Sequence, residues 1–165
     1  MAYPFTPNER ANALLARDGT ALLIGLCLDQ QVRTEKAFEA PYLLRERAGT
    51  IDAAAIAALR PAKLVSIFRT KPALHRFPAS MAKRVRALCA MIVERYRGRG
   101  ARVWSDAKTA DSVFERLRSL PGFGEAKSAS TVRILGKFGG VALAGWKRFG
   151  SDAALPWVYR NGKRI

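Results

Sequence analysis

A turn of five residues, Leu120-Pro121-Gly122-Phe123-Gly124, is the feature that most restricts how this chain can fold. Helical patterns flank this turn, because residues 111–119 place apolar side chains on one side and residues 126–138 repeat an apolar residue every three positions. Pro121 disfavours the α conformation at the residue before it, so the first helix has to end here. The two glycines permit backbone angles that are closed to other residues. The sequence therefore predicts two helices joined by a tight hairpin, here defined as residues 120–124.

The hairpin also has the properties of an anion site. The amides of Gly122, Phe123 and Gly124 are predicted to point outward at the start of the second helix, because the glycines leave no side chain over the turn. A helix N-terminus carries partial positive charge, so an anionic oxygen such as that of a DNA phosphate fits there. The alternative is a tight corner between two helices that binds nothing, since Pro and Gly mark turns of every kind.

Charge is unevenly distributed along the 165 residues, whose net charge is +16. Residues 1–59 contain six Lys/Arg and seven Asp/Glu, while the other 23 basic and six acidic residues give residues 60–165 a net charge of +17. The part of the chain that contains the hairpin is thus expected to attract a polyanion such as double-stranded DNA and to bind it in a salt-dependent way. The alternative is a generally basic surface without a specific partner.

The pattern is helical throughout, which predicts an all-α fold in a single domain spanning residues 1–165. Residues 21–28 are almost entirely apolar and predict a buried helix, capped by Thr20 and followed abruptly by the polar residues Asp29, Gln30 and Gln31. No alternating run with hairpin turns is visible, so no strand is expected. The longest apolar run is too short to span a bilayer and the N-terminus does not resemble a signal peptide, so we expect a cytoplasmic, nucleoid-associated monomer.

Few residues suit a metal centre. Two cysteines, Cys27 and Cys89, cannot supply a four-cysteine zinc or iron–sulfur site. The lone histidine, His75, has no Cys or Asp/His partner nearby, which predicts a surface or helix-capping residue rather than a ligand. We therefore expect no metal site and no iron–sulfur cluster.

Two separated stretches together carry a resemblance to a known family. A buried helix ending in Asp-Gln-Gln-Val, followed roughly 90 residues later by Leu-Pro-Gly-Phe-Gly, resembles the helix-hairpin-helix (HhH-GPD) DNA glycosylases. Members of that superfamily commonly carry Ser-Gln-Gln-Thr and Leu-Pro-Gly-Val-Gly at these places. The motifs of this chain are similar to those of a small bacterial branch of base-excision-repair-type proteins. The resemblance covers residues 8–138. It implies a two-lobed helical domain with the helix-hairpin-helix at about residues 111–138, followed by a divergent basic tail over residues 139–165.

The resemblance also implies roles for individual residues. In the family the hairpin holds the DNA backbone, often with a bound monovalent cation, and a polar residue of the Gln-Gln corner fills the gap left by an extruded nucleotide. The implied DNA contacts are Gln30, Gln31, Gly122, Phe123, Gly124 and Lys127. From the residues alone, the two glutamines can equally form a solvated loop or cap the buried helix.

The catalytic residues are harder to transfer from the family. Its members place an Asp about twenty residues beyond the hairpin, where its charge stabilises the oxocarbenium-like sugar, but Ala144 lies near that place here. Asp152, which lies later in the chain, is the candidate carboxylate, and Asp29 is the next one. Lyase-active members carry a lysine at the position of Ala126. Lys127 is therefore either a displaced catalytic lysine or a phosphate contact, and we do not expect lyase activity.

Two functions remain open from the sequence. The first is a monofunctional DNA glycosylase that flips and excises a damaged base from double-stranded DNA. The second is a catalytically silent helix-hairpin-helix DNA-binding module. The missing Asp favours the second and the Gln-Gln corner favours the first, which we take as the expected function. No residue pattern specifies which base would be recognised.

Overall fold

The protein, described by a computed structural model over residues 2–165, is all-α as the sequence predicts. Among the described residues the α-helices are α1 (Glu9–Arg17), α2 (Gly19–Leu28), α3 (Thr34–Ala48), α4 (Ala53–Ala58), α5 (Pro61–Arg69), α6 (Pro78–Tyr96), α7 (Arg102–Ser105), α8 (Ala110–Arg118) and α9 (Glu125–Lys137). After α9 come two 3-10 turns (Trp146–Arg148 and Asp152–Ala154) and two short strands, β1 (Tyr159–Arg160) and β2 (Lys163–Arg164).

The core is organised around α2, which is apolar on all sides and buried from Thr20 to Leu28. Helices α1, α3 and α6 pack against it. Gly25 allows α3 to approach closely, because a Cβ at this position would lie 2.9 Å from Cδ1 of the fully buried Phe38 ring. Each large apolar side chain buried in this way contributes about 1.5–3 kcal/mol relative to exposure. The packing therefore fixes the C-terminal end of α2, where the polar residues 29–31 begin.

The start of α2 differs from the prediction. Its cap is Asp18, whose carboxylate accepts a hydrogen bond from Ala21 N–H at 2.9 Å, so the helix begins at Gly19. Thr20 is inside the helix, and its hydroxyl accepts a hydrogen bond from Gly100 N–H at 3.0 Å in the interior. The assignment of Thr20 as the cap was wrong because a long-range partner takes its hydroxyl, while an Asp, which also makes a good cap, precedes it.

The end of the tail contains two short strands, whereas the sequence predicts no strand. Strands β1 and β2 are antiparallel, with Tyr159 opposite Arg164. The Asn161-Gly162 turn between them has φ angles of 50° and 74°, as a two-residue hairpin requires. The Tyr159 N–H donates to Pro4 O at 2.8 Å, which ties the tail to the N-terminal segment. The expectation of no strand was wrong here, because two-residue strands show no alternation and only the Asn-Gly pair marks them.

No single described helix is long and apolar enough to cross a membrane. Helices α1 and α2 pass that test only as a pair, by length and composition, and they are bent by 117° at the break between them.

Candidate nucleic-acid interface

The hairpin joins α8 to α9 as predicted and is held by two buried side chains. Leu120 and Phe123 are only 3% and 4% exposed, and Phe123 N–H donates to Leu120 O at 3.1 Å. Gly122 takes φ 86°, a region that favours glycine, while Gly124 has an ordinary extended conformation. The Phe123 ring is therefore turned into the core and its amide is used within the turn, unlike the outward amide that the sequence predicts.

Two backbone donors of the hairpin, the amides of its glycines, are unpaired. Within residues 2–165 the amides of Gly122 and Gly124 donate no hydrogen bond, and α9 has no side-chain cap at Gly124. A Cβ on Gly124 would have no atom within 4 Å. Because the first amides of a helix lack intrahelical partners, the start of α9 presents unpaired donors with partial positive charge at an exposed place.

The Gln-Gln corner, here defined as residues 29–31, lies beside the hairpin because one carbonyl connects them. Cys27 O accepts from Gln30 Nε2 at 3.1 Å and from Lys127 Nζ at 3.3 Å. Gln30 thus caps the C-terminal end of α2, as one of the sequence alternatives proposed. Gln31 is exposed and takes φ 55°, which is uncommon for a residue with a side chain. The two glutamines therefore have different environments, and Gln31 is the one with a free side chain.

His75 holds the corner from the interior. Its Nε2 lies 3.1 Å from Leu28 O and 3.0 Å from Gln30 O, so this nitrogen carries the proton and donates. Its Nδ1 accepts from Phe77 N–H at 2.9 Å. Burial lowers the pKa of His75, and its bonds to the two carbonyls oppose that shift. At 1% exposure His75 is not on the surface, but its bond to Leu28 O, the last carbonyl of α2, makes it a helix-capping residue, which is the other of the two predicted alternatives.

A groove of about 430 Å³ runs between the hairpin and the corner. Its lining residues are Gln30, Arg84, Leu120, Gly122, Phe123, Gly124 and Lys127. All but one of these were singled out from the sequence, as part of the hairpin or the corner or, for Lys127, as an implied DNA contact. The exception is Arg84 on α6, which the sequence shows only as one of several basic residues on the outer face of that helix.

Two ionisable groups, Lys127 in the groove and Asp29 in the corner, influence each other's pKa. Burial lowers the pKa of Lys127, and the Cys27 and Asp29 side chains oppose that shift. Burial raises the pKa of Asp29, which the Lys127 cation opposes, as does the hydrogen bond that Thr34 Oγ1 donates to Asp29 Oδ1 at 3.2 Å. Each charge therefore favours the ionised form of the other at the edge of the groove.

Asp152 has other partners. Its Oδ1 accepts from Arg133 Nε at 2.7 Å, and its Oδ2 lies 3.2 Å from Lys137 Nζ. These hydrogen bonds hold the pKa of Asp152 below its usual value. Arg133 and Lys137 belong to the second half of α9, whereas Lys127 is in its first turn. The structure thus brings Lys127, the glycines and Gln30 together at the groove, and pairs Asp152 with bases further along α9.

Ala144, which stands near the place of the family's Asp, is fixed to the start of α8 by hydrogen bonds from Ala110 N–H to Ala144 O and from Ala144 N–H to Lys108 O. Within residues 2–165 there is no cluster of three or more His, Cys, Asp or Glu side chains that could hold a metal ion.

Comparisons with known proteins support the fold. No protein-family model and no curated protein matches the chain. Among solved structures, the fold is similar to that of endonuclease III, trapped as a covalent intermediate with DNA in an estranged-adenine complex. The TM-score is 0.50 at 19% identity, and the match covers 73% of this chain and 53% of that one. The chain thus spans about half the length of that protein, and the likeness shows that the two chains share a fold.

Proposed function

We propose that this protein binds double-stranded DNA through the hairpin and excises a damaged base as a monofunctional DNA glycosylase. The observation that carries the proposal is the shared anchor: the Cys27 carbonyl accepts from Gln30 of the corner and from Lys127 of the hairpin helix. This anchor holds Gln30, the neighbour of the exposed Gln31, and the uncapped N-terminus of α9 at one groove. A phosphate contact and a side chain that can enter the base stack would then act at adjacent positions on the duplex.

The hairpin is proposed to bind a phosphate. The amides of Gly122 and Gly124 are free to donate, and the α9 dipole favours a negative charge at this end. Lys127 and Arg84 line the same groove and add two positive charges. These groups bind the backbone and not the bases, so they are expected to fix the position of the duplex without selecting a sequence. The monovalent cation that the resemblance implies at the hairpin stays an expectation.

The corner is proposed to open the duplex. Gln31 is the exposed glutamine, and its φ of 55° is held by neighbours that are fixed in place, since His75 donates to the carbonyls of Leu28 and Gln30 on its N-terminal side. Unusual backbone angles of this kind often mark functional positions. A wedge fills the gap that an extruded nucleotide leaves and so offsets the cost of unstacking. We assign Gln31 as the wedge and Gln30 as the residue that caps α2.

For the chemistry, the contacts favour Asp29 over Asp152. An oxocarbenium-like sugar is stabilised by an ionised carboxylate at the groove, and Asp29 is adjacent to Gln30, which lines it. Both oxygens of Asp152 are engaged by Arg133 and Lys137 on another part of α9. Lys127 bonds to a backbone carbonyl, and its charge favours the ionised form of Asp29, so we propose that it contacts phosphate and does not form a Schiff base.

A panel of duplexes with one lesion each tests this proposal. Excision is measured as alkaline cleavage at the abasic site, and borohydride trapping is expected to give no covalent adduct. Asp29→Asn should keep DNA binding but lower the excision rate roughly a hundredfold or more, whereas Asp152→Asn should leave it within a few fold. Loss of excision in Asp152→Asn alone would contradict the assignment of Asp29.

The second candidate function is a silent DNA-binding module. It is favoured by one observation, namely that no carboxylate is among the residues that line the groove. If the wild-type protein binds duplex DNA and excises no base from the panel, it is a DNA-binding module and the glycosylase proposal is wrong.

A further inference from the structure

A second pocket lies on the other side of the corner, between α3 and the C-terminal tail. Its volume is about 350 Å³, within the range of about 300–1,000 Å³ that is typical of small-molecule sites. Its lining residues are Val32, Arg33, Thr34, Glu35, Leu155, Pro156 and Trp157. It shares no lining residue with the hairpin groove. One wall begins at Val32, directly after the proposed wedge Gln31, and the opposite wall is an aromatic ring.

The aromatic wall is an ordered part of the tail. Backbone bonds hold the segment on both sides, from Tyr159 N–H to Pro4 O at 2.8 Å and from Ile165 N–H to Val158 O at 2.9 Å. The guanidinium of Arg164 lies over the Trp157 ring, 3.8 Å from its centre. Even so, Trp157 stays 58% exposed. A large aromatic ring held in place by its neighbours and still open to solvent suggests a surface for stacking, because exposing it costs free energy.

The surroundings of the ring favour a nucleic-acid ligand. Arg160, Lys163 and Arg164 make residues 155–165 positive, and the segment contains no Asp or Glu. Aromatic rings beside basic side chains are the usual way in which proteins bind unpaired bases, since every base has a face that can stack. Glu35 adds a carboxylate acceptor to the pocket. Arg33 contacts its Oε1 at 2.6 Å, so Oε2 is the oxygen left to accept from an exocyclic amino group.

We propose that this pocket receives a nucleobase that has left the duplex, stacked on Trp157. The inference rests on the proposed function, because it needs DNA held at the hairpin and opened at the corner. The proposed wedge, Gln31, is followed directly in the chain by Val32, which lines the pocket. A base displaced by Gln31 therefore reaches the pocket by a short path. Trp157 is then a specificity residue that reads the presence of a base, while the hairpin binds the backbone.

Three duplexes separate these contributions: one fully paired, one with a single bulged adenine, and one with a bulged abasic analogue. Affinity for each is measured by fluorescence anisotropy with wild type, Trp157→Ala and Trp157→Phe. Phe77→Ala serves as the matched control, because Phe77 is another exposed aromatic ring beside a guanidinium, that of Arg76 at 5.4 Å, and it does not line the pocket. Circular dichroism checks that each variant is folded.

Wild type should prefer the adenine bulge to the abasic bulge. Trp157→Ala should weaken binding of the adenine bulge by about 5- to 150-fold and leave the abasic bulge nearly unchanged, since a stacked base is lost only where a base exists. Trp157→Phe should retain most of the preference, and Phe77→Ala all of it.

Two results would overturn the inference while the proposed function stands. Either Trp157→Ala weakens both bulged duplexes equally, or the wild type binds the paired duplex but shows no preference for a bulged base. If the wild type binds none of the three duplexes at low salt, the proposed function fails and this inference fails with it.

Discussion

Replacing Gly122 by alanine should destabilise the protein by an amount that the hairpin geometry sets. Gly122 has φ 86°, and an L-residue in that region costs about 1–2 kcal/mol. The new Cβ would also lie 2.8 Å from Cys27 Sγ and 2.9 Å from Arg84 Cδ. Forcing an extra methyl group into such a packed place costs about 1–3 kcal/mol. The free energy of unfolding should therefore fall by about 2–5 kcal/mol, which lowers Tm by about 4–20 °C for a chain of this size.

Urea unfolding of five proteins separates the two terms. Gly124→Ala is the control, since a Cβ there meets no atom within 4 Å and φ is ordinary, so its unfolding free energy should stay within about 0.5 kcal/mol of wild type. Gly122→Ala should cost less when it is added to Cys27→Ala than when it is added to wild type, because the contact with Sγ is gone and the backbone part remains. Equal stability of Gly122→Ala and Gly124→Ala would refute the reasoning, because it would mean that the turn is neither left-handed at Gly122 nor packed against Cys27.

Further predictions concern salt, pH and a buried hydrogen bond. Duplex affinity should fall steeply with salt, with a logarithmic slope of about −4 to −7 for ~5–8 phosphate contacts, and a flat response would exclude a phosphate-based interface. Burial lowers the pKa of His75 in the folded protein, so as the pH falls the unfolded chain protonates its imidazole first, near pH 6.5. The free energy of unfolding should therefore decrease as the pH falls from there towards the lowered pKa of the folded state. Urea unfolding at pH 7.5 and 5.5 should show a smaller difference in His75→Gln, and an equal difference would contradict the argument. Thr20→Val should cost about 1–3 kcal/mol in the same assay by leaving Gly100 N–H unpaired, while Thr20→Ser keeps the hydroxyl and should cost clearly less.

The sequence was sufficient for features that depend on neighbouring residues. Pro121 and Gly122 fix the hairpin locally, and the all-apolar run of α2 can only be buried, so the fold class and the hairpin were predictable. The same local logic predicted a helix at residues 111–119, within one residue of α8 at each end.

Other features depend on contacts between distant parts of the chain and were missed for that reason. His75 reaches the carbonyl of Leu28, 47 positions away, and the groove includes Arg84 from a separate helix. The two glutamines are equivalent as a sequence pattern, yet one is engaged by the Cys27 carbonyl and the other is free. In the tail, the short strands gave no periodic pattern, so the position of Trp157 beside α3 could not be foreseen.

The central claim is that the hairpin, and not the overall charge, holds the DNA. Titration of a labelled duplex with Gly124→Asp and Lys163→Asp tests this directly. Gly124 is the N-cap of α9, and Asp is a favoured N-cap residue, so Gly124→Asp should fold at least as well as wild type. Its carboxylate would then take the place of the phosphate. It changes the net charge by only one unit, against two for Lys163→Asp, yet it should weaken binding roughly 10- to 150-fold, from the loss of about 1.5–3 kcal/mol of charge-assisted hydrogen bonding. Lys163→Asp should weaken binding less; if instead it weakens binding as much as Gly124→Asp or more, with both proteins folded, the hairpin is not the DNA site.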